Sequence, residues 1–170
     1  MAQIINVLKE SMPAVRLIGK KYTNADSVSG GFGHKWGEWF SNGYFNALKQ
    51  CEMVKGVSDD YVGAMRITPD GFEYWIGLFM SPASEAPEGF EYQDIPEGDI
   101  GVCYLYGNPD SGELYSMQAQ KACWEKFREK GWSLSRSAWF FERYNCPRYT
   151  RPDDKGNVIL DVCVYLDKRR

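Results

Sequence analysis

The chain repeats one strand–helix–strand–strand unit at a spacing of roughly 85 residues, about half of its 170. A doubled unit leaves few folds open, because each copy must bury the apolar face of a small sheet under its own helix. Pro13 to Gly19 opens the first copy as a strand, and Pro96 to Tyr106 opens the second; each is a proline followed by an apolar-rich run. Periodicity then predicts a helix over 36–51, with Trp36, Trp39, Phe40, Tyr44, Ala47 and Leu48 at helical intervals. The second copy matches it over 114–130 with Met117, Ala122, Trp124 and Phe127; Asp110 or Ser111 is the expected cap, and Gly131 follows the end.

A hairpin closes each copy. Strands 61–68 and 72–80 flank Pro69-Asp70-Gly71, a strong turn signal, and strands 139–145 and 158–166 flank a longer link ending in Gly156-Asn157. The segment 81–89 connects the copies, and Phe90 to Ile95 adds a strand before the second begins. The expectation is one α+β domain over 1–170, with pseudo-symmetric halves at about 12–80 and 90–168. Joined along an edge, the halves make a curved antiparallel sheet with helices on the convex face and a central ligand cleft.

Composition removes several function classes. Formal net charge is −3, and no basic run precedes Lys168-Arg169-Arg170, which argues against direct nucleic-acid binding. Met1 to Ser11 carries Lys9 and Glu10 and lacks a signal peptide's apolar core, and no run approaches a membrane span, so a cytoplasmic protein without a membrane partner is expected. Five scattered cysteines without a CxxC pair read as reduced thiols, with Cys103 and Cys163 in the core. His34 is the only histidine, which disfavours a zinc site and histidine-based nucleophilic catalysis; no metal and no cofactor is expected. Gly30-Gly31-Phe32-Gly33 lacks the lysine of a phosphate-binding loop and reads as a flexible connection.

Against that background one segment stands out: Trp139-Phe140-Phe141-Glu142-Arg143-Tyr144-Asn145 sets a carboxylate inside an aromatic strand. A charge among aromatics must be paired, solvated or neutralised. With a period of two, Phe140, Glu142 and Tyr144 share a face, and an anion ringed by aromatics suits a flat or cationic organic ligand. The competing reading is a surface glutamate answered by Arg143.

Three stretches of the chain resemble the GyrI-like small-molecule-binding domain, which also serves as the effector-binding domain of AraC- and MerR-type multidrug-responsive regulators. They are Pro13 to Gly19, Ile95-Pro96-Glu97-Gly98 leading into Val102-Cys103-Tyr104, and Phe141-Glu142-Arg143-Tyr144 with Tyr149, Pro152 and Gly156 before a closing strand. The resemblance implies a barrel-like α+β domain whose aromatic pocket takes hydrophobic, often cationic or planar compounds. It places Glu142 at the position of the family's pocket glutamate and matches Tyr144 to the tyrosine two residues on. Arg143 stands where the family usually has an apolar residue, and Tyr165-Leu166-Asp167 lacks the proline that often ends its last strand.

The resulting expectation is a sensor or sequestering module, without its own DNA-binding domain, for a hydrophobic or cationic small molecule. The alternative is a hydrolase: some stand-alone family members open cyclopropane-containing compounds with water, and Glu142 with a tyrosine hydroxyl, Tyr104 first and Tyr106 or Tyr144 otherwise, would carry that chemistry here. A third reading, suggested by the family's name, is a protein interaction that inhibits gyrase. Ligand-binding candidates are Glu142, Tyr144, Phe140, Trp75, Phe79, Tyr104, Tyr106, Trp39 and Trp36. Gly77 beside Trp75 and Phe79 leaves a gap for either a ligand or a closely packed helix. Glu73 is expected near a strand end in solvent, and Trp139 and Phe141 under the helices.

Overall fold

The computed structural model describes residues 1–135 and 139–168. Its elements run β1 (Gln3–Met12), β2 (Val15–Tyr22), α1 (Gly33–Ser41), α2 (Tyr44–Leu48), β3 (Tyr61–Thr68), β4 (Gly71–Met80) and β5 (Glu91–Ile95). There follow β6 (Gly98–Gly107), α3 (Met117–Glu129), β7 (Phe140–Tyr144) and β8 (Val158–Tyr165). The chain divides into two compact units, Pro13–Glu97 and a second made of Met1–Met12 with Gly98–Arg170.

In the 13–97 unit the strands lie in the order β3-β4-β2-β5, all pairings antiparallel. The β3–β4 hairpin turns at Gly71, whose φ of 122° is open to glycine and costly for other residues. The helix expected over 36–51 is two helices. Asn42 ends α1, and Gly43 takes a left-handed conformation (φ 67°) that stops one helix and starts the next. Trp39, Phe45 and Leu48 are buried beneath them.

Gly77 serves neither purpose expected of it. It pairs with Gly19, and a Cβ on Gly77 would fall 2.1 Å from the Ile18 carbonyl oxygen; one on Gly19 would fall 1.9 Å from that of Ile76. The two glycines let two strands approach each other, and no space is left for a ligand or a helix.

The second unit has the order β1-β6-β8-β7, again antiparallel. Its layout copies the first: a hairpin, the opening strand of the copy, then an edge strand. The edge strands are exchanged along the sequence. β1 precedes β2 but pairs with β6, whereas β5 precedes β6 but pairs with β2. β1 has no counterpart in the sequence reading, because its apolar residues are interrupted by Asn6, Lys9 and Glu10 and half of it stays exposed, as at an edge.

A short 3-10 turn (Glu113–Tyr115) precedes α3, which is capped by Ser116, not by Asp110 or Ser111: Ser116 Oγ accepts from Ala119 N at 3.1 Å. Ser111 is used in the preceding turn, donating to the Asn108 carbonyl at 3.0 Å. From α3, Ala119, Cys123 and Phe127 bury themselves against Cys103, Leu105, Val162 and Val164. Phe127 can lie so close because Gly101 has no side chain; a Cβ there would come within 3.1 Å of its ring.

Phe140 joins this cluster, so α3 covers the Phe140 face of β7. Phe141 lies on the opposite face, opposite Cys163 in register and 6.1 Å from the Tyr165 ring. The expectation that Phe141 packs under a helix is thereby corrected. Both faces of β7 are aromatic, and alternation alone cannot say which of them meets the helix. Among the described residues, no helix is long and apolar enough to cross a membrane.

Candidate functional site

Glu142 stands opposite Val162 in the β7–β8 register, on the face that α3 covers, with Phe140 and Tyr144 two residues to either side. Phe140 meets Trp124 of α3 edge-on, with ring centroids 5.8 Å apart. Tyr144 donates its hydroxyl to Glu142 Oε2 at 2.5 Å. Its ring stands edge-on to Tyr149 at 4.8 Å, and the Tyr149 hydroxyl is hydrogen-bonded to that of Tyr115.

Each of these side chains is held by local structure. Tyr149 belongs to the turn after β7, pinned by Tyr149 N donating to the Asn145 carbonyl at 2.8 Å and Ile159 N donating to that of Arg148 at 3.0 Å. Tyr115 ends the 3-10 turn ahead of Ser116, the cap of α3. Tyr115 keeps 41% of its surface exposed, so the outer ring of this group borders solvent.

Burial pushes the Glu142 carboxyl up to about 7, and the hydrogen bond from Tyr144 acts in the other direction. The residue retains some accessible surface. The carboxyl is crowded enough to disfavour charge, while the residue as a whole is not sealed from solvent. Burial also raises Tyr115 and Tyr149, and the Glu142 charge raises them further, so both phenols stay neutral at physiological pH.

Arg143 does not answer this charge. Its side chain lies on the other face of β7, where Nε donates to Asp161 at 2.8 Å and the two terminal nitrogens to Glu10 at 3.0 and 3.1 Å. Arg148 completes the group, reaching Asp161 from Nε at 3.0 Å and from a terminal nitrogen at 2.5 Å. Two guanidinium groups and two carboxylates balance, with Asp161 fully buried between them. Among the described residues, no cation is among the groups acting on Glu142.

Tyr104 and Tyr106 are on this second face as well, since Tyr104 registers with Asp161 while Glu142 registers with Val162. Tyr104 lies under the Arg148 guanidinium at 4.6 Å, and Tyr106 bonds Asp153 at 2.5 Å and accepts from Asn157 at 2.9 Å. The structure therefore does not bring Tyr104 or Tyr106 to the carboxylate, and the phenol beside it is that of Tyr144.

The remaining candidates belong to the 13–97 unit and are packed inside it. Trp39 and Trp75 are buried, donating to the Tyr22 hydroxyl at 2.9 Å and to Glu73 Oε2 at 3.1 Å. Phe79 is buried beside Ser58, and Trp36 donates to the Tyr74 hydroxyl at 2.8 Å. Glu73, expected in solvent, is paired with Arg66 at 2.7 Å; burial would raise its carboxyl, and the bonds from Arg66 and Trp75 bring it below the usual range.

Sequence reasoning singled out Phe140, Glu142 and Tyr144 but missed the outer pair. Tyr149 was visible only as part of a motif, and Tyr115 fell inside the helix expected over 114–130. A surface hollow of about 560 Å³ lies elsewhere, lined by Arg128, Gly131, Trp132, Ser133, Leu134 and Ser135. It holds no carboxylate, and the site is assigned to Glu142 because charge, aromatic surface and access coincide there.

No protein-family model matches the chain, and no curated protein matches it. Solved structures do. SAV2435 bound to tetraphenylphosphonium superposes with a TM-score of 0.70 at 14% identity, over 96% of this chain and 94% of that one. The C-terminal domain of EcmrR gives 0.61 at 12% identity, over 96% and 98%. A hydrolase from Listeria innocua gives 0.50 at 10% identity, over 95% and 91%. At such identities the likeness is one of fold, and that fold is the GyrI-like α+β domain implied by the three sequence stretches.

Proposed function

We propose that this protein binds small, lipophilic organic cations beside Glu142, as a sensor or sequestering module. The observation that carries the reading is a carboxyl pushed up by burial among aromatic rings, hydrogen-bonded by the Tyr144 hydroxyl. A buried glutamate without a cation is costly to the fold, and such groups persist where a ligand supplies the missing charge. Aromatic faces add about 0.5–2 kcal/mol for each well-placed cation–π contact. Phe140, Tyr144, Tyr149 and Tyr115 offer that surface, and the tetraphenylphosphonium held by SAV2435 is a ligand of this chemistry. Titration with tetraphenylphosphonium tests the reading, and Glu142→Gln is expected to weaken binding about tenfold or more, the loss of one desolvated ion pair. Equal affinity in the two proteins would remove the carboxylate from recognition.

A second reading uses the same carboxyl. A glutamate titrating near neutrality can donate or accept a proton, and Tyr144 is placed to orient it, so water could be added to a strained electrophile. The partner phenol in this reading is Tyr144 in place of Tyr104. Mass spectrometry after incubation with a cyclopropane-bearing alkylator separates turnover from binding, and the absence of hydrated product leaves binding alone.

A further inference from the structure

We propose that the Glu142 site exchanges a proton for its ligand: an organic monocation settling against Tyr144 and Tyr149 displaces the carboxyl proton to solvent, so occupancy rises with pH. The inference rests on the binding reading above and adds the charge balance of the binding step. The O–H bond of the carboxylic acid breaks, the proton leaves to water or buffer, and the carboxylate left behind pairs with the cation.

The geometry supports this in three ways. First, among the described residues Glu142 makes one hydrogen bond, accepted by Oε2 from Tyr144, while Oε1 is not among the buried unpartnered atoms. One oxygen is therefore left facing reachable space, where a proton can depart and a cation can approach. Second, among the described residues, the guanidinium groups of Arg143 and Arg148 are engaged with Glu10 and Asp161 on the opposite face of the strand.

Third, the groups around the carboxyl among the described residues are phenols and thiols, with no cation among them. Tyr144 comes from β7, Tyr149 from the following turn and Tyr115 from the 3-10 turn. Cys123 of α3 and Cys103 of β6 lie in the apolar cluster of the same face, and burial with their mutual contact holds the Cys123 thiol protonated. Asp110 acts on Tyr115 and Tyr149 and does not figure among the groups acting on Glu142. A single carboxyl therefore titrates at this site near neutrality. While the site is empty, burial favours the acid form; a bound cation reverses the preference.

The test is calorimetric titration with tetraphenylphosphonium, which has no titratable group, from about pH 5.5 to about pH 8.5 in buffers of different protonation enthalpy. Affinity is expected to rise about tenfold per pH unit below the carboxyl midpoint and to level off above it, with up to one proton released per cation bound. Glu142→Gln should bind more weakly, with an affinity flat across pH and no proton release. Tyr144→Phe removes the hydrogen bond that lowers the carboxyl's pKa, so its midpoint should move to higher pH. Binding by the unaltered protein that is independent of pH and buffer overturns the exchange while leaving the binding reading intact. Lack of binding at every pH overturns both.

Discussion

The two units share a strand order but treat their buried polar groups in opposite ways. In the 13–97 unit each indole N–H has found a mate: Trp36 with Tyr74, Trp39 with Tyr22, and Trp75 with the Glu73–Arg66 pair. Gly63 makes room for the first of these, because a Cβ there would meet the Tyr74 hydroxyl at 2.8 Å and Trp36 at 3.3 Å. In the other unit, the face away from α3 pairs its charges among Glu10, Arg143, Asp161 and Arg148. The face under α3 carries Glu142, a carboxyl with no cation beside it among the described residues. One copy of the repeat pairs its buried carboxylate, and its twin holds one pushed up by burial, at a cost to stability when it is charged.

The largest expected effect is at the balanced face. Asp161→Asn strips the buried charge that two half-buried guanidinium groups share, and should cost about 3 kcal/mol in urea unfolding. A loss below about 1 kcal/mol would mean that this face is no better satisfied than the Glu142 face, and the contrast between them would collapse.

Glu142→Gln sharpens the comparison from the other side. The folded carboxyl titrates at about 7 against an ordinary 4.5, so its protonated form is favoured in the folded state. No penalty exists below pH 4.5; it grows as pH rises and is complete above about 7. The variant should therefore be more stable than the parent by about 2 kcal/mol at pH 8, allowing for the carboxyl's remaining access to water, and nearly equal to it at pH 4. Thermal melts at the two pH values measure this.

In the 13–97 unit, Gly63→Ala pushes against the Trp36–Tyr74 pair and is expected to cost about 1–3 kcal/mol, with a change in tryptophan fluorescence. The smallest effect is at the α3 cap, where Ser116→Ala should cost about 1 kcal/mol. That helix roofs the Glu142 face, so a fall in ligand affinity greater than the fall in stability would show that the roof also shapes the site.

How much of this was legible in the sequence follows from the physics of each element. The hairpins were readable because Pro69-Asp70-Gly71 and the Gly156-Asn157 link carry turn chemistry in the local sequence. The break at Gly43 was missed because the apolar period runs across it, and periodicity does not register a single left-handed residue. Strand β1 was invisible since it earns its place through backbone pairing with β6 and not through an apolar pattern. At the site, alternation grouped Phe140, Glu142 and Tyr144 correctly. It also placed Tyr104 with Tyr106, but it could not tell that their face was the one carrying Asp161 and Arg148. Which face of one strand matches which face of another depends on register, a long-range property. Tyr115 and Tyr149 meet across 34 residues of chain, with no local signal for either to announce the other.

The exchange of edge strands has a consequence for how the protein is made. The 13–97 unit is contiguous and can complete its sheet as soon as β5 leaves the ribosome. Its twin cannot, because β1 is synthesised first and must wait for β6, with Met12 opposite Gly98 at the junction. Throughout that interval β1 is a nascent strand with an open edge, exposed to chaperones and to other chains. Lys9 and Glu10, which obscured the strand in the sequence, set charges along that waiting edge and discourage it from pairing with the wrong partner. The unit that carries Glu142 is thus completed only after its contiguous twin can already have closed its sheet.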